Sequence, residues 1–170
     1  MAEISETLWN AGVTASDYGA EGATYNAAVF EQYKLCVEMA DRVSARRNLA
    51  NTFFVTLHSG LLAFLGVWLS QPHRTRPSVV LLVGGLLVLL SLCTAWWFTL
   101  RSYQQLNNGK FQVIAALEER LPARAFKAAE WQALQEGRNW NTYLPLTHVE
   151  RWIPAIFATT YLLGCVGLAV

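Results

Sequence analysis

Formal charge is missing from long parts of this chain. No Asp, Glu, Lys or Arg lies between Arg47 and Arg74 or between Arg76 and Arg101, and none follows Arg151. Cysteine is scarce too: Cys36, Cys93 and Cys165 are the only three, with no paired spacing, which argues against a disulfide framework and reads them as small buried hydrophobes. Neither sign of charge is in excess, since the net charge is +1, so there is no electrostatic footprint for nucleic acid. The amino terminus, MAEISETLWNAGVTASDYGAEG, has no basic stretch followed by an apolar one, and no signal peptide is expected there. P-loop, dinucleotide glycine fingerprint, His-Glu-x-x-His and nucleophile elbow are all lacking. With 170 residues available, the expectation is a non-enzymatic protein without cofactor or metal.

The charge-free runs are what is there instead. They cover Asn51 to Ser70, Ser78 to Leu100 and Trp152 to Val170. A helix rises about 1.5 Å per residue, so roughly 20 residues cross the hydrocarbon layer. Lipid offers no hydrogen-bond partners, so each run is expected to be helical. The fold class is therefore all-α: an integral membrane protein with three transmembrane helices, the lipid bilayer its solvent. The last run carries Pro154 near its start, where a kink is expected.

Orientation follows from the thirteen basic residues. Four precede the first run, seven lie between the second and third, and only Arg74 and Arg76 occupy the short connection between the first two. The positive-inside rule then puts the amino terminus in the cytoplasm and the carboxyl terminus outside. Trp68, Trp96, Trp97 and Trp152 stand near run ends, where aromatic rings favour the headgroup level. The chain divides into a flexible tail (1–24), a cytoplasmic amphipathic helix (25–49), a span (50–70), an external hairpin (71–77), a span (78–100), a cytoplasmic helical segment (101–148) and a last span (149–170).

Apolar positions recur at helical spacing in both cytoplasmic segments. Phe30, Tyr33 and Val37 make one stripe, with Glu31/Lys34 and Glu38/Arg42 pairs on the polar side; Phe111, Ile114 and Leu117 make another. Exposed, both would be adhesive. They are expected to pack into a helical collar, within one chain or between neighbours. Asn108-Gly109 favours a turn that would interrupt the second segment. Thr147-His148-Val149-Glu150 has capping-box spacing, which explains Glu150 better than a metal site built with His148.

Within the spans, Thr52, Thr56, Ser59, Ala63 and Gly66 fall on one small, weakly polar face of the first, and Thr160, Gly164 and Gly167 on a similar face of the third. Such faces let membrane helices approach closely. They fit intrachain packing, a subunit contact or a wetted pore lining. His58 is the one ionisable side chain well inside a span, with Asn51 seven residues earlier on the same face. It fits either a neutral imidazole bonded to a neighbour or a proton-sensing or pore-constricting group.

The segments YKLCVEMADRVSARRNLANTFFVTLHSGLLAFLG (33–66), RSYQQLNNGKFQVIAALEERLP (101–122) and YLPLTHVERWIPAIF (143–157) together resemble the bacterial RipA family of octameric membrane proteins. The Arg-Arg-Asn helix end running into Asn-Thr-Phe-Phe is also similar to SLATT-type membrane effector domains, although a third span departs from their two-span pattern. The resemblance implies a homo-octamer in the bacterial cytoplasmic (inner) membrane, with itself as principal partner and no catalytic residues to transfer. A non-enzymatic assembly or scaffold is the expected role, and a gated pore or membrane-disrupting effector the alternative. A cytoplasmic partner or ligand is left unidentified by the residues.

Overall fold

Three helices carry the structure, here a computed structural model that describes residues 4, 7–10, 12–19, 23–71, 78–139, 141–144 and 146–169. Helix α1 is Ala23–Leu69, α2 is Val79–Glu118 and α3 is Leu146–Ala169. Among the described residues there is no strand. All three helices are long and apolar enough to cross a membrane, the third over Val149–Leu168. At about 1.5 Å per residue, α1 and α2 reach about 70 Å and 60 Å, twice the hydrocarbon thickness, so each carries a polar half as well as an apolar one. Positions 72–77, which hold most of the expected external hairpin, lie outside the described residues.

The chain forms two compact units, residues 46–103 with 146–170 and residues 1–45 with 104–145. In the first, here called the membrane unit, α2 directs Leu82, Leu86, Leu89, Cys93, Trp96 and Leu100 inward, alternately four and three residues apart. That alternation is a heptad seam, which lets long apolar helices interlock side chain by side chain. The outer surface is the reverse of a soluble protein's. Phe64, Leu81, Leu87, Ile156 and Leu163 are all more than half exposed. Such a surface is stable only against lipid or another copy. Pro154 lies inside α3, which continues unbroken past it.

The second unit contains the amino-terminal half of α1, the end of α2 and the segment after it. Here α1 buries Val29, Ala40 and Val43, with Tyr33 and Val37 half-buried, and α2 buries Ile114, Ala116 and Leu117. Phe30 and Phe111 remain close to half exposed, so the two expected stripes are only partly used within one chain. At the start of the stripe the buried residue is Val29 in place of Phe30, while Tyr33 and Val37 keep to the inward side. Phe30 instead carries Lys34, whose Nζ sits 4.5 Å from the ring centre. The Asn108-Gly109 interruption does not occur: α2 is continuous through it, because buried positions on both sides hold one helical register.

Beyond Glu118 the expected cytoplasmic helical segment continues as a π-type turn at Ala125–Glu130, a single α-turn at Trp131–Ala133 and a 3-10 turn at Gln135–Gly137. The wholly buried Glu118 carboxyl fastens this segment. It accepts from the Phe126 backbone N–H at 2.9 Å and from the Tyr33 hydroxyl at 3.2 Å. Burial first, and the Glu118 carboxyl second, push the Tyr33 phenol above its ordinary value. Its contribution is therefore full below about pH 10 and is lost as pH rises through the raised value. Residues ahead of α1 also take part. Arg120 donates to the Tyr25 hydroxyl at 2.6 Å and lies 3.4 Å over the Trp9 ring, while Thr14 and Asp17 cap a 3-10 turn at Ala15–Tyr18.

Candidate functional site

The polar residues that the sequence singles out inside the first span converge in the membrane unit. α1 turns Asn51, Phe54 and His58 toward α2 and α3, and His58 has no solvent exposure. Its Nδ1 is 2.8 Å from the Tyr161 hydroxyl, its Nε2 is 4.0 Å from Cys93 Sγ, and the Tyr161 hydroxyl is 3.4 Å from the His58 carbonyl. One proton arrangement satisfies every group: Cys93 S–H donates to Nε2, Nδ1–H donates to Tyr161, and Tyr161 donates to the carbonyl. A neutral imidazole with no unmet bond is the favourable way to keep histidine in hydrocarbon.

Aromatic rings close the surroundings. The fully buried Trp96 stacks on Phe54 at 5.6 Å and 9° and on His58 at 5.5 Å and 18°, and Phe157 lies 5.2 Å from His58. Trp96 is thus not a headgroup anchor. Its indole N–H donates to Asn51 Oδ1 at 3.1 Å, which supplies the partner a buried tryptophan requires. Trp152, by contrast, is mostly exposed. Near the end of the unit, Arg47 Nε lies 3.6 Å from Glu150 Oε2, with side chains only 15% and 12% exposed. This pairing corrects the capping-box reading of Glu150. α3 already begins at Leu146, ahead of Thr147, and a partly buried guanidinium needs its countercharge more than an exposed helix end does. The side chains of Thr147 and His148 lie outside the described residues.

The small-residue faces are placed differently. Thr52, Thr56, Ser59, Ala63 and Gly66 on α1, and Thr160, Gly164 and Gly167 on α3, are all exposed. A methyl group at Gly66, Gly164 or Gly167 would meet nothing within 4 Å, so intrachain packing does not explain these glycines. Thr160 donates its hydroxyl back to the Ile156 carbonyl at 2.9 Å, which leaves the face smooth. Beside it an apolar cleft of about 470 Å³, lined by Leu65, Gly66, Leu82, Gly85, Gly164 and Leu168 among others, lies between the three helices. No metal-binding group of three or more His, Cys, Asp or Glu occurs among the described residues.

Sequence reasoning names His58 and Asn51 but misses Trp96, Tyr161 and Cys93 as their partners. Cys93 and Trp96 lie on the four-and-three seam of α2 with Leu89 and Leu100, whereas Tyr161 comes from α3.

The model of the octameric membrane protein family (8xMP) matches residues 30–170. The chain belongs to that family. Comparison with curated proteins and with solved structures gives no match. Membership agrees with the apolar outer surface: this 8xMP protein is a self-associating membrane protein, and its exposed Gly and Thr faces are free within the protomer to meet a neighbour. Gly164→Leu is therefore expected to leave the protomer folded, because a Cβ there meets no existing atom within 4 Å, while lowering the octamer fraction several-fold. Native mass measurement at fixed detergent and protein concentration checks this. An unchanged octamer fraction would remove the α3 face from the subunit contact.

Proposed function

We propose that this 8xMP protein is a non-enzymatic homo-octameric assembly of the bacterial cytoplasmic membrane, with the amino terminus and the second unit on the cytoplasmic side and the carboxyl terminus outside. The observation that carries the reading is the division of labour among its intramembrane groups. His58, Asn51, Trp96, Cys93 and Tyr161 satisfy one another inside a single protomer, and Arg47 faces Glu150. The outward small-residue faces remain for contact with other copies. In this account the second units form a helical collar under the membrane, in which the exposed Phe30 and Phe111 become covered, and the assembly acts as a scaffold.

A second reading rests on one specific observation. Thr52, Thr56 and Ser59 are exposed along one side of α1, whose remaining outer surface in this region includes Phe53 and Phe64. Turned toward an eightfold axis, they would line a wettable channel, and the assembly would be a gated pore or membrane-disrupting effector. Ion flux across vesicles containing the purified octamer separates the readings. The scaffold predicts flux no greater than in empty vesicles. Flux that Thr56→Leu abolishes would establish the pore.

A further inference from the structure

The second unit has two exposed apolar grooves of similar size on different sides of α2. One, of about 460 Å³, lies between α1 and α2 and is lined by Cys36, Met39, Leu106, Gly109, Lys110 and Val113. The other, of about 430 Å³, lies between α2 and the segment after it, and its walls include Phe111, Phe126, Trp131, Leu134 and Tyr143, with Glu130 among its polar groups. Met39 and Leu106 are each 51% exposed, and Phe111 and Trp131 are 45% and 46% exposed. At 3.6 residues per turn, Leu106, Gly109 and Val113 point roughly 140° away from Asn108, Phe111, Gln112 and Ala115.

We propose that these grooves are the two halves of one head-to-tail contact: the Met39/Leu106 side of one copy packs into the aromatic groove of the next. The proposal rests on the octameric reading and says which surfaces close the ring. Two unlike faces on opposite flanks of one helix suit a heterologous contact, which propagates around a ring, whereas a two-fold dimer needs a single self-complementary face. The chemistry of the two sides matches. Flexible Met39 and Leu106 are of the kind that fills an aromatic-lined hollow, and the Lys110 ammonium on one side is complementary to the Glu130 carboxylate on the other. Each groove is bordered by side chains about half exposed, which leaves it open to a neighbouring surface.

The natural Cys36 provides one half of the test. In full-length protein in mild detergent, Trp131→Cys treated with a short, polar bis-maleimide should give a ladder of covalent species from dimer to octamer. The natural chain and the Cys36→Ser/Trp131→Cys double variant should give none. Leu134→Cys, a smaller change in the same groove, repeats the test should loss of the indole weaken assembly. Product that stops at dimer, or no product from either variant while native mass measurement still finds eight copies, overturns the head-to-tail pairing. A natural chain that is monomeric by the same mass measurement overturns the octameric reading, and the pairing with it.

Discussion

Trp96→Ala will insert into the membrane but lose the packing of the three-helix interior, with a stability loss of about 3–5 kcal/mol. Trp96 has no exposure, and its indole stacks between Phe54 and His58 and also meets Phe157 at 5.8 Å. Truncation opens a cavity among rings that cannot all collapse into it, and it strands the Asn51 amide that now accepts from the indole N–H. Trp96→Phe separates the two effects. It keeps a stacking ring of smaller volume and removes the hydrogen bond, which in membrane helices is worth on average about 0.6 kcal/mol. Denaturation of the detergent-purified protein in mixed micelles reads both. A loss below about 1 kcal/mol for the alanine variant would mean that Trp96 is not the centre of the interior, since a well-packed buried tryptophan cannot be removed so cheaply.

The second large effect belongs to the other unit. Tyr33→Asp combined with Ile114→Asp is expected to unfold it while leaving the membrane unit inserted. Ile114 is 1% exposed, and a carboxylate there has no partner among the buried Val29, Ala40 and Leu117. Asp at position 33 replaces a donor to the buried Glu118 carboxyl with a second acidic group beside it. Each change removes several kcal/mol, against a few tenths from the exposed Glu31/Lys34 and Glu38/Arg42 pairs that remain. Limited proteolysis should cut the double variant between residues 104 and 145 faster than the natural chain, and native mass should show loss of the octamer. A double variant with natural protease resistance and full octamer would show that this unit neither depends on the Tyr33–Glu118 and Ile114 packing nor holds the copies together.

The spans are legible in the sequence because hydrocarbon tolerates so little: a run of about 20 residues without charge has few other homes. His58 and Asn51 are legible for the same reason, as the polar exceptions. Their partners are hidden by the same uniformity. Leu82, Leu86, Leu89, Cys93, Trp96 and Leu100 form a seam at four-and-three spacing, but Val83, Leu87 and Val88 beside them are just as apolar and point outward. Hydrophobicity alone does not tell the two faces apart. Trp96 is misread as an interfacial anchor because the aromatic-belt rule sees position along the span and not direction around the helix. At Phe30 alone the reading of the α1 stripe errs by one residue, which is roughly 100° around a helix and enough to exchange a buried position for an exposed one. Asn108-Gly109 shows the opposite case, where a strong local turn signal yields to packing on either side of it. Glu150 belongs with Arg47, a partner more than 100 residues away, and no local motif reveals such a pairing.

The central claim is a ring of eight identical three-span protomers, each enclosing its own His58, Tyr161 and Cys93 cluster. Single-particle imaging of the detergent-purified full-length chain tests it most directly. The account predicts eight copies related by a rotation axis, His58 enclosed within every protomer, and Gly164 and Trp131 at contacts between copies. Monomers, or a ring in which His58 faces the axis, would contradict it.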